Sequence, residues 1–489
     1  MNAATEINPA AVLNDSEAQA IRSQLERAFA AQREAYLASP MPNLKQRRAD
    51  LEALRRMIGD NVDAIVDAIC ADYGNRSRHE SLFAEIISGA DAIIDCSKRL
   101  RGWMKPQKRH VDQSLFPGGR SRVIPQPLGV VGLIIPWNFP IMLCFSQLAA
   151  AFAAGNRAMV KMSENSRTLT RLLQSLAPKY LEEDKLVFFE ETGGVGIEFS
   201  KIPFDLLIFT GSGNTGRSVM AAAAQNLTPV ILELGGKAPA VIDPDYPMQR
   251  AVERIMFTKQ FNAGQICTNV DYVFVHKTRR EEFVELAKAW VAEHVPDINS
   301  QDYTSVIDDR AFTRLMNTLD DAREKGATLI PLNHQEPNPE LRKIPLTLVL
   351  DTTADMTIRQ RETFGPLLMV MEYEKPQEVV TYVNAGDRPL ALYPFSNDKR
   401  LQNYYIERIM SGGVTVNDAL FHVAQHDLPF GGVGASGMGH YHGYEGFVAC
   451  SKLRPVFYQP WFTLNKYLAP PYGKLADKAF GMMVKQKTK

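Results

Sequence analysis

The chain is poor in cysteine. Its 489 residues hold five (Cys70, Cys96, Cys144, Cys267 and Cys450), odd in number, scattered and never in C-x-x-C spacing. That argues against a disulfide framework and against a structural zinc site. Charge of one sign is not in excess either: Lys plus Arg and Asp plus Glu both come to 55. Nothing in that balance points to nucleic acid or to an anionic membrane. No apolar run reaches the roughly 18 residues that a spanning helix needs. The opening stretch, MNAATEINPAAVLNDSEAQA, has neither a basic n-region nor an apolar core, so no secretory signal is expected and a reducing cytoplasm is the default location. Internal repeats and low-complexity segments are lacking as well.

What is present is a large apolar share, 45% of the residues, enough for extensive cores. The length suggests two or three domains. Residues 16–103 follow helical periodicity, with breaks at Pro40 and Pro42 and amphipathic helices expected at 44–58, 62–73 and 79–103. Cys70 and Cys96 fall within these apolar patterns and read as core. From 105 to 127 the composition turns basic and rich in turn formers, too polar for a core, and reads as a projecting ribbon. A similar short strand recurs at 453–458. Between them, short apolar runs alternate with helical stretches. The strands expected are 130–135, 158–161, 186–189, 206–209 and 230–232, with helices at 141–154, 166–181, 194–200 and 215–225. Repeated βα units imply a parallel, doubly wound sheet that binds ligands at the strand C-termini. A second series begins at Ala238, with strands at 272–275, 346–350, 367–371 and 414–416, and makes a second α/β domain.

Chemistry concentrates between Pro229 and Asn269. A β-branched run, Val230-Ile231-Leu232, delivers Glu233 and stops at Gly235-Gly236; after a second strand and a helix comes Gly264-Gln265-Ile266-Cys267-Thr268. Taken singly, a solvated Glu and an inert buried Cys are the ordinary readings. Taken together they look like a nucleophile and its general base, because a thiol in a glycine-framed turn near a helix terminus is placed to ionise. Pro136-Trp137-Asn138-Phe139-Pro140 follows the first strand of the sheet. Two prolines bracket Asn138, whose amide could donate to an oxyanion or merely satisfy its own backbone. Gly211, Gly213 and Gly216 spell G-x-G-x-x-G between a strand and a helix, and Glu233 sits near the spacing of a ribose-binding acid. A phosphate-binding P-loop there lacks its lysine. His426, His440 and His442 have no H-x-x-x-H frame with acidic partners and read as surface or loop residues; no metal site is expected.

The segments Leu232-Glu233-Leu234-Gly235-Gly236-Lys237 and Gly264-Gln265-Ile266-Cys267-Thr268-Asn269 resemble the aldehyde dehydrogenase superfamily, and its other stations follow in order along nearly the whole chain. The resemblance implies two doubly wound α/β domains plus a small β oligomerisation arm. Residues 16–104 and 127–233 would bind the cofactor, with 428–452 returning to them. Residues 234–427 would be the catalytic domain, 105–126 and 453–460 the arm, and 461–489 a C-terminal tail. It further implies Cys267 as nucleophile, Glu233 as the base that activates water, and Asn138 in the oxyanion hole. Lys161 and Glu164 would hold the adenosine ribose, Gly211, Ser212 and Gly216 would contact the cofactor, Glu362 would hold the nicotinamide ribose, and Phe364 would pack near the nicotinamide. Glu164 would repel a 2′-phosphate, so NAD is expected, with NADP the alternative. Met162 stands where the family usually has Pro, and Arg361 where it often has an acid. The GQICTNVDYV and HYHGYEGF segments resemble the class 3 branch, and most nearly the bacterial coniferyl aldehyde dehydrogenases.

The expected activity is therefore NAD(P)-dependent oxidation of an aldehyde, of coniferaldehyde, simple aromatic or medium-chain type, to the acid through a thiohemiacetal and a thioester. A CoA-acylating enzyme is the rival reaction, against which Glu233 argues; a non-catalytic structural protein is the rival class. The expected partners are a small-molecule aldehyde and a second copy in a homodimer, with a tetramer as the alternative. The tail segment 475–484 could form one short amphipathic helix.

Overall fold

The computed structural model describes residues 15–463 and 469–488. The opening residues, on which the secretory-signal reading rests, and 464–468 and 489 of the tail lie outside the described residues. Three sheets organise the chain. The first has six strands in the order Gly437–Met438, Val230–Leu234, Leu206–Gly211, Val130–Ile134, Arg157–Lys161 and Leu186–Phe189. All neighbours pair in parallel except Gly437–Met438, which lies antiparallel on the Val230–Leu234 edge. The chain enters at Val130–Ile134, winds outward, then crosses back to Leu206–Gly211. The switch point, where an open α/β sheet parts its loops to form a crevice, lies between those two strands.

Helix Pro140–Ala154 (PIMLCFSQLAAAFAA) explains how that sheet is covered. Nearly every residue in it is buried, because it is sandwiched between the sheet and the helices Leu44–Gly59 and Ser88–Trp103. Such a helix must be apolar all round. Pro140 opens it and Gly155, at φ 94°, closes it in the left-handed region.

The second sheet has seven strands: Thr328–Pro331, Thr347–Leu350, Leu367–Tyr373, Val270–His276, Ala238–Ile242, Ala391–Phe395 and Gly413–Val414, parallel save for the first. The third is an antiparallel ribbon of Gln107–Arg109, Arg120–Pro127 and Ser451–Tyr458. The architecture is the α/β, doubly wound arrangement expected from the sequence.

Three strands escaped the sequence reading. Ala391–Phe395 carries Pro394 in a buried, two-sided position, a residue that ordinarily demotes a run to an edge. Gly437–Met438 has too little side chain to show a period. It pairs because Gly437, at φ 144°, lets backbone approach backbone: a Cβ there would stand 2.2 Å from the Leu232 carbonyl oxygen. Thr328–Pro331 is a half-exposed edge. The helix expected at 79–103 is also broken. Arg78–Ser81 passes into a π-helical stretch, Leu82–Ile87, before the regular helix Ser88–Trp103. The widened turn carries Glu85 into the interior.

Candidate active site

Glu233 stands on the last parallel strand of the six-stranded sheet, opposite Thr210 on one side and Gly437 on the other. It is 2% exposed, and neither carboxylate oxygen accepts a hydrogen bond of ordinary length and angle, only the Gly432 N–H lying close by. Burial, softened only by the Gly432 N–H, holds its carboxyl well above the usual carboxylate range. Cys267 is half-buried in the loop between the tight turn Phe261–Gly264 and strand Val270–His276. Desolvation, then the charges of Glu362 and Glu233, push its thiol up to about 12. The three groups therefore share one pocket although they come from three segments.

One expectation is not met. The helix before the Cys267 turn, Met248–Gln260, ends there, so it brings its negative pole and not the positive one that would favour a thiolate. No cation acts on the thiol among the groups that shift it. Of the other thiols, Cys144 is fully buried and desolvation raises it far beyond a reactive range.

The turn that holds Cys267 is strained and tightly bound. Asn262, Ala263 and Gly264 lie in succession at φ 52°, 50° and 72°. For the two non-glycine residues this costs of order 1–3 kcal/mol each. The Asn262 amide offsets it by donating to the Gln265 carbonyl (3.1 Å), the Asn138 carbonyl (3.3 Å) and the Tyr73 hydroxyl (3.2 Å). Gln265 in turn donates to the carbonyls of Asn262 (2.9 Å) and Ser305 (3.0 Å) and accepts from the Ile307 N–H (2.9 Å). A Cβ on Gly264 would stand 2.3 Å from the Gly365 carbonyl oxygen, so only glycine fits where this turn meets the segment after Phe364.

Asn138 is buried beside that turn, its amide donating to the Gln265 carbonyl at 3.3 Å. Its carbonyl is the focus of a network. Arg76 donates to it at 2.9 Å and to Glu85 at 2.8 Å, and Glu85 accepts from the N–H groups of Ile141 (3.0 Å) and Met142 (2.8 Å). Arg76 and Glu85 are wholly buried. The ion pair thus fixes both the Asn138 turn and the helix that follows it.

Phe364, at φ 44°, packs edge-on against Trp137 at 5.5 Å. Glu362 lies over Gly235, where a Cβ would come 2.2 Å from its carboxylate oxygen. Burial and Asp271 raise Glu362 to about 8, against the pull of Lys237, Arg314 and Lys259. Asp271 ties the same loop down by accepting from the Thr363 N–H (2.8 Å) and hydroxyl (2.7 Å), and Arg314 donates to the Thr363 carbonyl at 2.8 Å. Ser212 caps helix Gly213–Ala224 by accepting from the Thr215 N–H at 3.3 Å. Gly216 also has a packing role. A Cβ there would meet Leu234 at 2.7 Å, so its smallness lets the helix close on the Glu233 strand. Gly211 sits at the strand end with its α-carbon against the Phe209 ring. Glu164 is exposed and accepts from Ser163 (3.1 Å), while Lys161 pairs with Glu191 at 2.8 Å. A glycine cradle, an acid over it and a capped helix at the switch point are a donor set that fits a dinucleotide.

Several members of this site carried no sequence signal. Glu191 accepts from the N–H groups of Gly193 (3.0 Å), Val195 (3.0 Å) and Gly196 (2.9 Å) besides holding Lys161. Tyr441 lies near enough to Glu233 for its charge to bear on the phenol, and Gln147 bonds to Thr210, the cross-strand neighbour of Glu233; the sequence marked neither as a site residue. His442, read as a loop residue, is buried, and desolvation drops it to about 3; His440 is exposed. Among the described residues no group of three His, Cys, Asp or Glu side chains is arranged to hold a metal ion, and no helix is long and apolar enough to cross a membrane.

Comparison with known proteins adds three likenesses and one family match. The profile of the aldehyde dehydrogenase family matches residues 4–456. A probable coniferyl aldehyde dehydrogenase of Pseudomonas aeruginosa is 48% identical over 457 residues, 93% of this chain and 95% of that protein. Aldehyde dehydrogenase family 3 member A2 of Mus musculus is 35% identical, covering 91% of each. The substrate-bound structure of AldH from Staphylococcus aureus superposes with a TM-score of 0.87 at 31% identity, covering 94% of this chain and 99% of that one.

Proposed function

The chain belongs to the aldehyde dehydrogenase family, and from that premise we propose that it oxidises an aromatic aldehyde of the coniferaldehyde type to the free acid, with NAD as the hydride acceptor. The observation that carries the reaction is the nearness of Cys267 to Glu233, whose charge adds to burial in raising the thiol. Cys267 adds to the aldehyde carbon. Its proton leaves as the C–S bond forms, since a thiol held near 12 has almost no standing thiolate at neutral pH. Glu233, whose own affinity for protons is raised, is the acceptor at hand. The oxyanion of the thiohemiacetal takes hydrogen bonds from the Asn138 amide and the Cys267 N–H. The cofactor, when bound, supplies a positive charge and takes the hydride that converts this adduct to a thioester. Lys161, Glu164, the Gly211–Ser212 turn, Glu362 and Phe364 would hold it. Glu233, once it has passed the thiol's proton to solvent, draws a proton from water, which attacks the thioester. The adduct collapses with loss of the C–S bond, and Glu233 returns that proton to the thiolate, freeing the acid and the thiol.

The preference for NAD rests on two acids, Glu164 and Glu191, against one base, Lys161, at the strand end where a 2′-phosphate would arrive. The coniferaldehyde class rests on the Pseudomonas aeruginosa relative. The proposed quaternary state is a cytoplasmic homodimer joined through the edge strand Ser451–Tyr458, where Phe457 and Tyr458 are exposed.

Rapid mixing tests the reaction. Cys267→Ala should form no NADH yet still bind cofactor. Glu233→Gln should give a burst of about one NADH per site, then turnover slowed on the order of 10²–10⁴-fold, the usual cost of losing a positioned base. Added CoA should not restore it; restoration would mean an acylating enzyme. No burst at all from Glu233→Gln with saturating NAD would mean that the carboxylate mainly activates the thiol.

A further inference from the structure

We propose that Tyr441 and Gln147 are catalytic residues of the hydrolytic step, seating with Glu233 the water that attacks the Cys267 thioester. This rests on the Cys267–Glu233 reading above. Three side chains here carry polar atoms without a hydrogen bond of ordinary length and angle: both oxygens of Glu233, near which only the Gly432 N–H lies, the Tyr441 hydroxyl, and Oε1 of Gln147, whose amide is near enough to Tyr441 to draw its phenol down. Gln147 and Tyr441 are wholly buried and Glu233 nearly so. Buried polar groups are paired as a rule, so three unpaired ones converging on a reactive thiol mark a place built to receive something polar.

Their convergence is a product of the fold. Glu233 comes from the strand and Gln147 from helix Pro140–Ala154. Tyr441 follows Gly437–Met438, the strand that pairs directly with Glu233. Each is held in place. Gln147 donates its amide N–H to the Thr210 hydroxyl at 3.0 Å, and Thr210 is the cross-strand neighbour of Glu233. With the amide N–H turned to Thr210, Oε1 is the end left to accept. Tyr441 exchanges backbone hydrogen bonds with Phe430 at 2.8 and 2.9 Å, and its ring lies 5.6 Å from Phe430 and 4.7 Å from His442. Cys267 packs against the same apolar cluster. The charges of Glu233 and Cys267 reinforce burial in keeping the phenol protonated, so it can only be a neutral donor or acceptor there.

A seated water needs two to four polar partners. Here one hydrogen goes to Glu233 and the other to Gln147 Oε1, while the Tyr441 O–H donates to one lone pair. The remaining lone pair is left for the thioester carbon. In the step, the water oxygen bonds to that carbon and its proton passes to Glu233. The tetrahedral adduct then collapses with loss of the C–S bond, and Glu233 returns the proton to the thiolate. The products are one carboxylic acid and one thiol; no oxidant or reductant is consumed.

The test follows the acyl-enzyme directly, by acid quench and intact-protein mass spectrometry of the full chain after mixing with aldehyde and NAD. Tyr441→Phe removes one oxygen and keeps the ring. Its NADH burst should stay within about 2-fold of the unaltered enzyme, while decay of the acyl adduct slows on the order of 10–100-fold, toward the low end of general-base losses. Gln147→Met, a second variant of similar volume, should show the same split. Hydroxylamine, a nucleophile that needs no seat, should discharge the adduct of Tyr441→Phe at the unaltered rate. Unchanged adduct decay in Tyr441→Phe, or burst and decay falling together in both variants, would overturn the proposal. Glu233→Gln run beside them separates the two ideas. If its adduct stalls while that of Tyr441→Phe does not, only the water seat is wrong. If Glu233→Gln also turns over freely, the underlying reading fails.

Discussion

The buried pair of Arg76 and Glu85 is the place where stability and catalysis can be read from one substitution. Arg76 donates to Glu85 (2.8 Å) and to the Asn138 carbonyl (2.9 Å), with its guanidinium 5.0 Å from both the Tyr73 and Phe139 rings. Arg76→Met keeps the volume and removes the charge, stranding Glu85 among apolar groups with only the Ile141 and Met142 N–H groups. Breaking a buried pair in this way costs about 3–5 kcal/mol. Glu85 has one escape, which is to take up a proton. Its carboxyl is raised by burial even beside Arg76, and more so without it. An acid whose folded value lies above its unfolded one binds its proton more tightly when folded. Stability therefore falls as pH rises between the two values, and the deficit of Arg76→Met should be smaller near pH 5 than at pH 8. Pairing it with Glu85→Gln, which still accepts the two N–H bonds, should recover a large part of the loss. Activity should also suffer, because the Asn138 carbonyl keeps only the longer bonds from Tyr73 and Asn262. We expect a fall in kcat on the order of 10-fold, below the 10²–10³ of losing an oxyanion donor outright, with NAD affinity unchanged. Urea unfolding followed by tryptophan fluorescence at the two pH values, with steady-state kinetics, measures all of this. A deficit under about 1 kcal/mol at pH 8, or strict additivity in the double variant, would refute the assignment of this pair as the support of the Asn138 turn.

Two further outcomes follow from the same charges. Because Glu233 is raised well above the usual carboxylate range, its base form is lost as pH falls through that raised value; acyl-enzyme decay should therefore climb as pH rises through it, at a pH above that of a free carboxylate, and Glu233→Gln should flatten the climb. Glu164→Gln removes one of the two acids at the adenosine end, so the ratio of kcat/KM for NAD over NADP should drop; an unchanged ratio would show that Glu164 does not face the 2′ position.

What could be seen in the sequence was whatever is local. Val130–Ile134 and Val230–Leu234 are buried on both faces and announce themselves as continuous β-branched runs, so the winding of the six-stranded sheet follows almost from spacing alone. Glu233, Cys267 and Asn138 stood out because glycine and proline frame them. Where a rule of composition was broken by tertiary need, the signal vanished. Pro394 sits inside a buried strand because its carbonyl still accepts from the Asn417 N–H at 2.8 Å. Gly213 completes a G-x-G-x-x-G spelling while Gly216 serves helix packing. Arg76 lies in the loop before helix Arg78–Ser81 and Glu85 in the π-helical stretch after it, and each reads as an ordinary surface charge until the fold buries the two as a pair.

The residues that went unseen share one property: each acts through a partner that is remote in the chain. Glu191 reaches Lys161 across 30 positions, Gln147 reaches Thr210 across 63, and Arg76 reaches Asn138 across 62. Side chains of this kind show no periodicity, because their polarity is satisfied by the fold and not by a neighbour in sequence. They also set the terms on which the legible residues work. A thiol raised to about 12 has almost no standing thiolate at neutral pH, and burial makes the nearby Glu233 carboxyl hold a proton more tightly than a free one. Such an arrangement protects a half-buried cysteine from indiscriminate reaction, since it is the thiolate that attacks. It also assigns selectivity to the groups that position the aldehyde, the carbonyl oxygen and the water, and not to the nucleophile itself.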